Sequence, residues 1–188
     1  LYLKKIDLNI LIIILVVGIA SFYGINNDST QSLIAHDEGI YASRAKLIID
    51  TGDWFTPFDE AHHKTVGSYW PIALSFKFFG ISEYSARLPS GLFAILCSLT
   101  IYLIASKYFS KFASLTSSLI LTSMPLWFQY SRYASPDIPF IFCILLALNL
   151  IIKSNISINS LKNNSSQHWF YIGICISIAF FLRSFMIF

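Results

Sequence analysis

Ionisable residues in this chain avoid several long apolar runs and collect in one stretch. That segregation constrains the fold more than any short motif does. The apolar runs cover about 8–25, 89–106, 112–128, 138–152 and 168–188. Between the first two lies a polar island, His36 to Trp70, reading HDEGIYASRAKLIIDTGDWFTPFDEAHHKTVGSYW. It holds Asp37, Glu38, Asp50, Asp53, Asp59 and Glu60, six of the ten acidic residues, and three of the four histidines. Runs of this length match the ~20 apolar residues that cross a bilayer as a helix. Only 12% of the residues are charged and mean hydropathy is +0.63, against about 25% charged in a soluble domain. The expected fold is therefore an all-α integral membrane protein, a multi-span helical bundle of about five spans. A long external loop at about 26–88 carries short interfacial helices. The net charge of +3 is small and spread out, so no nucleic-acid partner is expected. Cys97, Cys143 and Cys175 sit far apart in apolar runs without a CxxC spacing, as buried small hydrophobes do.

The order of charges sets the expected sidedness. Lys4 and Lys5 precede the first run, while Lys107, Lys111, Lys153 and Lys162 fall in later short connections. By the positive-inside rule these mark the cytoplasmic side, and the island then emerges outside. The rival reading of the first run is a signal peptide, with Gly18-Ile19-Ala20 as a small-x-small cleavage site. Residues 36–49 read as a short helix with Asp37 and Glu38 in its first turn, where the helix dipole favours carboxylates. Gly52 is its expected stop. Tyr69 to Phe79 is too short to span and reads as a helix in the interface, with Trp70 and Lys77 at headgroup level. The chain begins with Leu1 and ends at Phe188 inside an apolar run, so it reads as the N-terminal part of something longer.

On this topology the loops carrying Asp37 and Asp137 emerge on one face and are free to share a site. A carboxylate there serves either as a helix cap or as a general base toward an acceptor hydroxyl or amine. Asp137 stands between two prolines in Ser-Pro-Asp-Ile-Pro, an N-cap position at the lipid boundary where an ionisable group needs a partner; Arg132 is the near one in sequence. Lys64 is a point charge suited to phosphate. Arg44 and Arg87 offer bidentate phosphate contacts, with headgroup snorkelling as the plainer role. His62 and His63 are polar loop residues or metal ligands, although adjacent helical side chains point about 100° apart.

The pattern DEGIYASRAKLIIDTGDWFTP, then HHK, YW, FKFFGISEYSARLPS and RYASPDIP, resembles the polyprenyl-phosphate-sugar glycosyltransferases of the GT-C fold. Within them it is most similar to bacterial enzymes of the lipid A aminoarabinose transferase kind, with protein O-mannosyltransferases as more distant kin. The resemblance covers about residues 5–188 in order and spacing. It implies transfer of a sugar from a polyprenyl-phosphate-linked donor to a lipid or protein acceptor, at the periplasmic side of a bacterial inner membrane. It implies Asp37 and Asp137 as the catalytic acids and Lys64 as a lysine near the donor phosphate, with Tyr41 and Arg44 in the same helix pattern; together with Glu38, Arg87 and Arg132, expected from their chemistry and position, Tyr41, Arg44 and Lys64 are the expected substrate-binding residues. Where the family has Glu-Lys-Pro-Pro, this chain has His63-Lys64-Thr65-Val66. His63 is thus the candidate ligand if a divalent metal serves as cofactor. The competing class is a multi-span transporter or a membrane scaffold. Transporters place ionisable groups near the bilayer midplane, whereas here Arg183 is the exception among nearly charge-free spans. A fragment of this length is expected to be inactive alone.

Overall fold

The computed structural model describes residues 8–28, 32–33, 38–58, 64–153 and 165–183. Among these every regular element is helical. The helices are α1 (Leu8–Asp28), α2 (Glu38–Thr51), α3 (Trp70–Phe79), α4 (Glu83–Ala105), α5 (Lys111–Ser123), α6 (Pro125–Tyr130), α7 (Asp137–Lys153) and α8 (Ser165–Arg183), with a 3-10 turn at Val66–Ser68 before α3.

Helix α4 is the hub, packed against α1, α3, α5 and α7, while α8 packs on α7 and on the 3-10 turn. Pairings along the helices fix their directions. Asn9 Nδ2 donates to the Tyr102 hydroxyl at 3.3 Å, and Gly18 faces Ile95, so α1 and α4 are antiparallel. The Ser118 hydroxyl donates to the Ser98 carbonyl at 2.7 Å, in an antiparallel α4–α5 seam of small residues. Such residues let backbones approach closely where apolar burial alone offers little drive. Cys97 lies against Ile138, and the Lys107 ammonium reaches the Asn149 side chain at 3.1 Å, so α4 and α7 run parallel. Cys143 clusters with Ala179 and Leu182, and Ala147 with Ile172 and Cys175, which makes α7 and α8 antiparallel.

These directions give the bundle two distinct ends. One holds the start of α1, the 106–110 turn and the end of α7, with Lys107, Lys111 and Lys153. The other gathers the starts of α2, α4 and α7 and the end of α8.

Helix ends follow local chemistry. Gly52 takes φ +73° after α2, and its N–H returns to the Ile48 carbonyl at 3.0 Å, the left-handed stop that glycine adopts without a Cβ penalty. Helix α4 starts at Glu83, earlier than the expected start near Pro89. The Ser82 hydroxyl accepts from the Ser85 N–H and the Ser82 N–H donates to the Ser85 hydroxyl, a capping box. Pro89 then lies inside the helix. The third expected span, 112–128, is broken. Met124 precedes Pro125 and sits at φ −68°, ψ 125°, because a residue before proline is pushed out of the helical region. The chain restarts as α6 with Pro125 in its first turn. By length and hydropathy one described helix, Glu83–Ala105, meets the test for a membrane crossing, and Leu8–Tyr23 and His168–Arg183 are shorter apolar stretches.

Candidate active site

The described part of the polar island folds down onto the end of the bundle where α4 and α7 begin. Its anchor is Glu38, the first residue of α2, whose side chain is 1% exposed. Arg87 of α4 donates to both carboxylate oxygens, Nε to Oε1 and Nη2 to Oε2, each at 2.8 Å. The Ala134 N–H adds a third bond to Oε1 at 2.9 Å. A buried carboxylate needs a paired, multiply bonded cation, and this one ties together three segments: the first turn of α2, α4 and the turn before Asp137. Glu38 and Arg87, both expected to touch substrate, are here engaged with each other inside the protein. Asp37, one residue before Glu38, lies outside the described residues, as do His62 and His63.

Asp137 is the first residue of α7 and pairs with Arg183 in the last turn of α8. Each charge sits at the helix end whose dipole favours it. Arg132 is instead directed at Phe128. Its Nε donates to that carbonyl at 3.1 Å, and its guanidinium lies 4.0 Å from the centre of that ring. Sequence reasoning therefore missed Arg183. The signal was present, since it is the one charge set within an apolar span, but its distance in sequence from Asp137 concealed the pairing.

The other expected cations border an aromatic wall. The Lys64 ammonium donates to the Tyr41 hydroxyl and lies 4.3 Å from that ring's centre. The Arg44 guanidinium lies 5.1 Å from the Phe58 ring. Phe58 meets Tyr69 edge-on at 5.4 Å, and Tyr69 in turn meets Tyr41 at 5.8 Å. Tyr41 and Ala45 are buried against α3, so the apolar stripe of α2 points into the protein and turns Arg44 and Lys46 to its flank. Asp53 closes a turn, accepting from the Phe55 and Thr56 N–H groups and the Thr56 hydroxyl. The Thr56 N–H and hydroxyl, then the Phe55 N–H, hold its carboxyl below the usual carboxylate range. Among the described residues no three His, Cys, Asp or Glu side chains gather to hold a metal.

Beneath these polar groups runs an apolar groove of about 520 Å³ between α3, α4, α7 and α8, lined by Leu74, Leu92, Phe142, Leu146, Ile178 and Leu182 among others. Trp70, Leu88 and Pro139 lie along it as well, so the groove reaches the end of the bundle that carries Arg87, Asp137 and Arg183. The 64–68 segment is fastened to that end. The Thr65 hydroxyl donates to the Phe181 carbonyl, and the Ser68 hydroxyl to the Leu182 carbonyl at 2.7 Å. Those bonds join the 3-10 turn to the last described turn of α8.

Comparison with known proteins places this geometry. Residues 63–188 match the family described as dolichyl-phosphate-mannose-protein mannosyltransferase. An uncharacterized protein of Aquifex aeolicus is 31% identical over 144 residues, covering 74% of this chain and 28% of the relative. The undecaprenyl phosphate-alpha-4-amino-4-deoxy-L-arabinose arabinosyl transferase of Wigglesworthia glossinidia brevipalpis is 27% identical over 154 residues, covering 80% of this chain and 27% of that enzyme. The crystal structure of ArnT from Cupriavidus metallidurans bound to undecaprenyl phosphate has the same fold over 92% of this chain and 32% of that one, with a TM-score of 0.78 at 18% identity. The chain thus spans less than a third of the length of these relatives.

Proposed function

The chain belongs to the dolichyl-phosphate-mannose-protein mannosyltransferase family, and from that membership we propose that it forms the N-terminal part of a membrane glycosyltransferase of the GT-C kind. The donor is a sugar on a polyprenyl phosphate, and the acceptor is a lipid or a protein at the periplasmic face of a bacterial inner membrane. The five spans of this reading are α1, α4, α5 with α6, α7 and α8, with α2 and α3 at the outer interface. The observation that carries it is the apolar groove ending beside Asp137, Arg183 and the 64–68 segment. A long apolar tail with an anionic head fits that combination, and undecaprenyl phosphate, which the solved ArnT relative holds, has that shape.

The reaction needs few parts. The acceptor hydroxyl or amine attacks the anomeric carbon with inversion, the bond from that carbon to the phosphate oxygen breaks, and the lipid phosphate leaves as an anion. Positive charge near the phosphate stabilises it as it departs. Lys64 and Arg44 supply that charge from the aromatic wall beside the groove. Asp37 takes the acceptor proton or orients the acceptor, and Asp137 is the second acid at the same end. Tyr41 positions Lys64 through its hydroxyl. In this reading Glu38 and Arg87 are the internal tie that seats Asp37, and Arg132 flanks the site from α6. Transport is disfavoured, because the described charges of α4, α7 and α8 lie toward the helix ends rather than at mid-depth.

The test uses the full-length protein in vesicles containing undecaprenyl-phosphate-linked aminoarabinose and lipid A. Release of undecaprenyl phosphate with appearance of the modified acceptor is the expected result. Mass spectrometry of lipids, lipid A and surface proteins from cells with and without the gene covers other acceptors. No sugar-bearing product in either experiment would overturn the reading.

A further inference from the structure

Among the described residues two ion pairs stand at the site end of the bundle, and they differ in one respect. The Glu38–Arg87 side chains are 1% and 4% exposed, a closed pair. The Asp137–Arg183 side chains are 21% and 46% exposed, a pair that faces accessible space. Stability alone does not call for the second arrangement, since exposed pairs contribute little to it. A carboxylate held by a cation while one side stays open is suited to act on something else. The last turn of α8 also does more than hold Asp137. Its Phe181 and Leu182 carbonyls accept the Thr65 and Ser68 hydroxyls, and the Phe181 ring meets Trp70 edge-on at 5.1 Å. One helix turn therefore touches both Asp137 and the segment that begins with Lys64, beside the mouth of the apolar groove.

We propose that Arg183 is a positioning residue for glycosyl transfer, acting through Asp137. It holds the Asp137 carboxylate charged and oriented at the groove mouth, in register with the Lys64 segment docked on the same helix turn. This rests on the glycosyltransferase reading and extends it to a residue to which that reading gives no part in the reaction. A guanidinium suits the task because its planar fork fixes a carboxylate in angle as well as distance.

The experiment compares Arg183→Met, Arg183→Lys, Asp137→Asn and the double variant Arg183→Met/Asp137→Asn in the full-length protein. Transfer from undecaprenyl-phosphate-linked aminoarabinose to lipid A is followed in vesicles, with undecaprenyl phosphate binding measured in parallel. Arg183→Met is expected to lower kcat on the order of 10- to 100-fold, the scale on which misorientation of a reacting group costs turnover. Donor KM and undecaprenyl phosphate binding should stay close to wild type, and Arg183→Lys, which keeps the charge without the planar fork, should recover only part of the loss. The double variant should be no slower than Asp137→Asn alone, because Arg183 then has nothing left to position. Should Arg183→Met fail to insert, Arg183→Gln carries the same comparison. A loss confined to KM, multiplicative losses in the double variant, or normal turnover without Arg183 would each overturn the inference while leaving the enzyme reading intact. A wild-type protein with no turnover in that assay would overturn both.

Discussion

Arg87 and Glu38 show how a residue's chemistry depends on where it is buried. Either alone suits a phosphate or an acceptor, and together they close on each other. Removing one partner leaves an uncompensated buried charge, so Arg87→Met should destabilise the protein by about 3–5 kcal/mol. The double variant Glu38→Leu/Arg87→Met should unfold at a higher temperature than the single one, since apolar groups of similar volume replace such pairs at little cost. Thermal unfolding in detergent checks both, and a double variant weaker than Arg87→Met would remove the structural assignment. Asp37 tests the neighbouring position. Asparagine caps a helix about as well as aspartate but is no base. Asp37→Asn should therefore lower turnover by roughly 10²–10⁴ while undecaprenyl phosphate still binds. Near-normal turnover would reduce Asp37 to a cap.

Among the elements, the contact between the 3-10 turn and the end of α8 is the most exacting. Gly67 is buried there, and a Cβ built on it would lie 2.7 Å from the Phe181 carbonyl oxygen, with the Phe181 ring closer still. The backbone oxygen cannot swing aside as a side chain can. Gly67→Ala should thus cost about 1–3 kcal/mol, as overpacking does, and should loosen the docking of the Lys64 segment. Faster cleavage after Lys64 together with a lowered unfolding midpoint is the expected signature. An unchanged midpoint would mean that α8 and the turn separate freely. Helix α5 makes a related point. The restart at Pro125 follows from proline's effect on Met124, so the 112–128 run is a jointed element and not a rod.

For the whole molecule, the antiparallel and parallel seams sort charge by end. Lys107, Lys111 and Lys153 lie at one, and Glu38, Asp137 and Arg183 at the other. The proposed function, with the positive-inside rule, predicts that the basic end faces the cytoplasm. With the native cysteines replaced, a cysteine at Ser32 should react with an impermeant thiol reagent in outer-membrane-permeabilised cells, and one at Ser110 should not. Labelling at 110 alone would invert the protein and move the site to the cytoplasm.

The helical class, the positions of most helices and the presence of the island at one face were all legible in the sequence. Period and segregation of apolar residues are local properties, and they decide which backbone segments avoid unpaired polar groups. Gly52 as a stop and the 70–79 helix were readable for the same reason. The break in the 112–128 run was missed although Pro125 was in view, because a hydropathy run says nothing of backbone angles. What the chain order could not disclose is partnership. Glu38 meets Arg87 across 49 residues, and Asp137 reaches Arg183 in preference to nearby Arg132. Only the packing of α4, α7 and α8 decides which charges are close enough to neutralise each other, and therefore which remain open to a substrate.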